Sequence, residues 1–185
     1  FPIRSVVLAS PSVGALLLSD EDFLLLIDVG GSEVAVAQTV AAIRDISEFA
    51  VDSIGTTIGQ ELRSIFKGDN RIVVRVGVPR QRITEIMNYM MEINIAGFAN
   101  IAAGQILGEC FSGDLNNSDE LASELRTLRE VAERYHGYLL IENAPTDLRS
   151  KIDPSGRVEL SVVSELRRKF DPGQIINPGR MGGQE

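Results

Sequence analysis

Arg75 is the side chain whose setting most suggests a chemical task. It interrupts the run Ile72, Val74, Val76, Val78, which alternates with period two as a strand does, and so it points to the other face, shared with Val73 and Gly77. If that face lines a cavity, a guanidinium among small neighbours is suited to hold a carboxylate through two parallel hydrogen bonds. An exposed or ion-paired arginine is the plainer alternative. Asn88, Tyr89, Asn94 and Asn100 offer further polar contacts, although their spacing singles none of them out.

Other chemistries find little support. With one histidine, His136, and one cysteine, Cys110, no zinc or iron set can be assembled, and no metal is expected. His136 falls at a predicted helix end, where capping or solvent contact is the ordinary role. The sequence has no Gly-x-Ser-x-Gly turn for a nucleophile, no Gly-x-Gly-x-x-Gly and no Walker loop. Asp20, Glu21 and Asp22 read as a solvated loop, and Met87, Met90 and Met91 as adaptable core filler.

The elements that must position Arg75 follow from hydrophobic periodicity. Strands are expected at Ser5 to Ala9, Asp22 to Val29, Ile72 to Val78, Phe98 to Ala102, Gln105 to Phe111 and Tyr138 to Glu142. Val36, Val40, Ile43, Ile46 and Phe49 form one helical stripe laid on a sheet, and Thr56 to Phe66 suggests a second helix. Ile83, Ile86, Met87, Met90 and Ile93 mark the next. A box at Asn117 to Glu120 starts a long helix through Leu121, Leu125, Leu128, Ala132 and Tyr135, ended by Gly137. A last helix runs from about Val158 to Lys169. The order predicts an α+β, ferredoxin-like antiparallel sheet with helices packed on one face, followed by a C-terminal helix and an extended strap. One sheet face is left over, and because the strands are Val- and Ile-rich a pocket, a partner domain or a second copy should cover it.

At 185 residues, 44% hydrophobic and with mean hydropathy +0.06, the chain can bury one stable core. The 26 acidic against 18 basic residues give a net charge of −8, which repels nucleic acid and anionic lipid. The apolar segments Gly14 to Leu18 and Phe23 to Val29 are too short to span a bilayer, so membrane insertion is not expected. The lone cysteine suits a reducing cytoplasm. A start at Phe1 rather than Met suggests a processed product or a piece of a longer protein.

The end of the chain carries the most specific signal. Asp171-Pro172 breaks the last helix, and Asn177-Pro178-Gly179 breaks the chain again after Ile175-Ile176, leaving a stiff strap that ends in Arg180. This strap resembles the C-terminal signature of FAD-linked oxidases of the vanillyl-alcohol oxidase type, in their glycolate oxidase and D-lactate dehydrogenase branch. Leu26 to Val36, Ile72 to Pro79 and Leu139-Leu140-Ile141-Glu142-Asn143-Ala144-Pro145 resemble further stretches of that family in the same order.

The resemblance implies a cap, or substrate-binding, domain over residues 1–170 and a strap over 171–185 that returns towards the flavin, with the N-terminal FAD-binding domain absent from this chain. It implies that Asn177, Pro178, Gly179 and Arg180 lie near the FAD, which a separate domain or subunit mainly holds. The implied substrate is a small 2-hydroxy acid oxidised by hydride transfer to flavin; Arg75, by its place in the strand, is the expected anchor for the carboxylate of such a substrate. Many relatives carry a histidine-containing Gly-rich metal strand; here Ala96 to Gly104 has no histidine, which points to the accessory flavin subunit type of glycolate oxidase. The chain alone is not expected to catalyse. The competing expectation is a stand-alone ferredoxin-like module that binds a small ligand or forms a homo-oligomer.

Overall fold

Why the chain folds as it does is clearest at β3 (Arg71–Gly77), the most buried strand. Ile72, Val74 and Val76 face α4 (Ile83–Glu92) and α5 (Ser118–Arg134), whose Ile86, Met87, Met90, Leu121, Leu125 and Leu128 are almost wholly buried beneath them. Each such side chain contributes about 1.5–3 kcal/mol relative to exposure, so this layer dominates the core. The computed structural model describes residues 3–18, 22–54, 58–65, 71–111, 118–153, 160–173 and 175–176.

The remaining strands are β1 (Ile3–Ala9), β2 (Leu24–Val29), β4 (Ala96–Asn100), β5 (Gln105–Phe111) and β6 (Tyr138–Asn143). They form one six-stranded sheet in the order β2-β1-β4-β5-β3-β6, every adjacent pair antiparallel. Within it, β3-α4-β4-β5-α5-β6 is a complete ferredoxin-like unit with spatial order β4-β5-β3-β6. The fold is therefore α+β and ferredoxin-like, with β1 and β2 added beyond β4. Among the described residues no helix is long and apolar enough to cross a membrane.

Both long helices of that unit end in the same way. At α4, Ile95 N–H donates to Met90 O at 2.7 Å and Asn94 N–H to Met91 O at 3.0 Å; at α5, Gly137 N–H donates to Ala132 O at 2.8 Å and His136 N–H to Glu133 O at 2.9 Å. The left-handed residues are Asn94 (φ 57°) and His136 (φ 58°), so the helix that Gly137 was expected to end turns on His136 instead. Gly137 is required for another reason: a Cβ there would collide with Gly77 O.

The helices α4, α5 and the short α6 (Thr146–Lys151) cover one face of the sheet. Two further helices, α1 (Pro11–Leu18) and α3 (Ile58–Ile65), lie on the opposite face at the β4-β1-β2 end. There Val13 and Leu62 close over Ala9, Leu26, Ala96 and Phe98. The covering needed on the second face is thus supplied in part by the chain itself. Ser10 makes the corner, its N–H donating to Gly97 O at 2.8 Å and its Oγ accepting from Gly97 N–H at 3.0 Å, while Pro11 opens α1.

The limits of β4 and α2 differ from expectation. β4 begins at Ala96 and ends at Asn100, because Ile101 to Gly104 is a tight turn with Gly104 at φ 66° and Asn100 Oδ1 accepting from Ala103 N–H. α2 (Glu33–Ile46), capped by Ser32 Oγ accepting from Ala35 N–H at 3.3 Å, buries only Thr39 fully. Its stripe overruns the sheet, leaving Ile46 and Phe49 in solvent. α5 begins at Ser118 and α7 spans Leu160–Phe170, while Asn117 and residues 154–159 lie outside the described residues.

Candidate functional site

Over β5, β3 and β6 the face away from α4 and α5 carries a continuous row of polar side chains. Arg75 pairs across to Leu107 of β5 and Leu140 of β6, and Gly77 to Gln105 and Tyr138. Because Gly77 has no Cβ, the Tyr138 ring lies over its Cα, where any larger side chain would collide. The phenol thereby crosses β3, and its oxygen accepts a hydrogen bond from Gln105 Nε2 at 3.2 Å. Gln105 Oε1 in turn accepts from Arg75 Nη1 at 3.4 Å, and Arg75 Nε donates to the Glu142 carboxylate in an ion pair.

Tyr138, Gln105, Arg75 and Glu142 therefore form a linked row on the open face. Both partners of the ion pair remain about one-third exposed, and the hydrogen bond to Glu142 raises the Arg75 pKa above its ordinary value. The guanidinium is fully cationic and fixed in direction. The Tyr138 oxygen accepts from Gln105, which leaves its own proton to donate to a ligand oxygen.

Farther along the same face, Arg71 pairs with Glu109, which lines up between Ala96 and Val73. Glu109 is only 6% exposed, and its Oε2 has no hydrogen-bond partner among the described residues. Burial raises its pKa, with Arg71 opposing the rise.

The structure places the expected residues unevenly. Arg75 stands on the open face, and Asn100 lies at its corner opposite Gln105, holding the β4–β5 turn. Asn88 and Tyr89 belong to α4 on the other side of the sheet, and Asn94 closes that helix, so none of the three joins Arg75. His136 is exposed at the end of α5. Nearby, the Arg82 guanidinium stacks 4.3 Å from the Tyr135 ring centroid and Tyr135 Oη donates to Glu85 at 2.7 Å, a clasp between α4 and α5. Asn177, Pro178, Gly179 and Arg180 lie outside the described residues.

Sequence reasoning missed Gln105, Tyr138 and Glu142 as companions of Arg75. The alternation of Tyr138, Leu140 and Glu142 puts three side chains on one face, but the knowledge that β6 borders β3 comes only with the sheet order. Among the described residues no three His, Cys, Asp or Glu side chains are grouped so as to hold a metal ion. No protein-family model matches the chain, and no curated protein matches it. A family reading therefore rests on the resemblance of the strap and the strands described above.

Proposed function

We propose that this chain is the substrate-side cap domain of an FAD-dependent oxidoreductase acting on a small 2-hydroxy acid. The observation that carries the reading is the row Tyr138–Gln105–Arg75–Glu142 on a sheet face that α4, α5 and α6 leave uncovered. In this reading Arg75 holds the substrate carboxylate, exchanging part of its contact with Glu142 for it. Gln105 fixes the guanidinium and the phenol relative to each other, and the Tyr138 hydroxyl donates to a substrate oxygen. The base that removes the hydroxyl proton comes from the flavin-binding part, outside this chain. The flavin, when bound there, supplies the two-electron acceptor.

The test is steady-state kinetics of the complete flavoenzyme with glycolate and D-lactate, comparing Arg75→Leu and Arg75→Lys with the parent. A sharp rise in KM for the leucine variant, with lysine recovering part of it, is expected, because a point charge replaces one half of a bidentate grip. An unchanged KM would remove Arg75 from the site and leave its ion pair a structural feature of a free-standing module. A preparation that shows no flavin absorption, alone or with a partner subunit, would overturn the oxidoreductase reading itself.

A further inference from the structure

Among the described residues two exposed apolar clusters differ in rim charge. The first is the end of α2, where Ile46 is 81% and Phe49 85% exposed, surrounded by exposed Asp45, Glu48 and Asp52. These side chains do not hang on a loose segment. Ser47 N–H donates to Ile43 O at 3.0 Å, Ser47 Oγ accepts from Phe49 N–H at 3.1 Å, and Arg44 Nε donates to Val51 O at 3.4 Å.

The second is α7. Val162, Leu166 and Phe170 recur every four residues and form one exposed stripe, with Phe170 at 69%. Arg168 and Lys169 stand exposed in the last turn. Beyond it the Asp171 carboxylate accepts from Ile175 N–H at 2.9 Å and Ile176 N–H at 3.0 Å, holding both isoleucines outward, Ile175 at 82% exposure.

We infer that the α2 end of one copy of this chain docks on α7 of a second copy. Exposed large apolar side chains on a pinned backbone mark an interaction surface, and the rims decide the occupant. The α2 end carries Asp45, Glu48 and Asp52 against the single cation Arg44, and α7 carries Arg167, Arg168 and Lys169 against Glu165, so their net charges are opposite and complementary. At a net charge of −8 two copies repel in most orientations. In this pairing the basic turn of α7 meets an acidic rim. It does not depend on the oxidoreductase reading.

Sedimentation velocity of the 185-residue chain over a range of concentrations and salt tests the inference. Self-association that strengthens with concentration and weakens with salt is expected. Reversing the α7 rim (Arg168→Glu with Lys169→Glu) should abolish it, and reversing the α2 rim (Asp45→Lys with Glu48→Lys) should do the same. The chain carrying both reversals should associate again. A second pair, Phe49→Ser and Phe170→Ser, should each yield a monomer with an unchanged circular dichroism spectrum, since both side chains lie outside the core. A parent chain that is monomeric throughout, its α7 stripe covered only when a flavin-binding domain is added, would overturn the inference. So would association that ignores the reversals, or singles that fail without recovery in the double.

Discussion

The Tyr138 ring rests on the Cα of Gly77, and the position of the phenol on the open face depends on that contact. A strand glycine is normally a weakness, and replacing it by alanine would ordinarily stabilise by about 0.5–1 kcal/mol. At this position the new methyl meets an aromatic ring instead. Gly77→Ala should destabilise by about 1–3 kcal/mol in urea unfolding, as overpacking does. Gly77→Ala combined with Tyr138→Ala should recover most of the loss, and a stabilised single variant would show that the ring swings away at no cost.

Glu109 sets a pH dependence of stability. Its folded pKa is raised above the ordinary 4.5 by burial, so the folded state binds more protons than the unfolded state once the pH exceeds that value. Stability contributed by the protonated form is present below about pH 4.5 and is lost as the pH rises through the folded pKa. Compared with the parent, Glu109→Gln should therefore become relatively more stable as the pH is raised from below 4.5 to neutrality. Urea titrations of both proteins at several pH values check this, and a constant difference would place the Glu109 carboxylate outside the titration.

Glu142 competes with any anion for Arg75. The pair is exposed enough that its own worth is about 0.2–1 kcal/mol. On the proposed function, Glu142→Gln in the complete flavoenzyme should lower KM for the hydroxy acid by no more than about fivefold and leave kcat near the parental value. A collapse of kcat would instead make Glu142 a participant in proton transfer.

Asn94 and His136 each hold the left-handed position that closes a helix. Asparagine tolerates that conformation better than alanine does, so Asn94→Ala should cost about 1–2 kcal/mol, whereas Asn94→Gly should be neutral or slightly stabilising. His136→Gly should stabilise for the same reason. Thermal unfolding of the three variants measures this directly, and equal effects of alanine and glycine at position 94 would refute the conformational argument.

Strong periodicity was readable where burial enforces it. The alternation of β3 placed Arg75 on the face opposite Ile72, Val74 and Val76, and the stripe of α5 named Leu121, Leu125, Leu128 and Ala132 as core. Periodicity could not tell how far the sheet extends, so the stripe of α2 seemed to continue through Ile46 and Phe49 although nothing among the described residues lies beneath them. The run Pro11 to Leu18 has no polar face to give it a helical period, and α6 is too short to show one, so both helices were illegible. The companions of Arg75 were hidden because Gln105, Tyr138 and Glu142 come from strands whose neighbours are set by long-range pairing.

The order of strands in the sheet also dictates the order in which the protein can assemble. The unit from Arg71 to Asn143 is closed on itself, whereas β1 must wait for β4, with Val7 meeting Asn100 more than ninety residues later in the chain. A ribosome releases β1 and β2 long before that partner exists, and closing so long a loop is slow. Within this chain, β1 therefore gains β4 only after some ninety further residues have been made. During that interval the β1 edge is unpaired and the apolar Leu24, Leu25, Leu26 and Ile27 of β2 lack the sheet's full packing, the condition in which chaperones bind nascent chains.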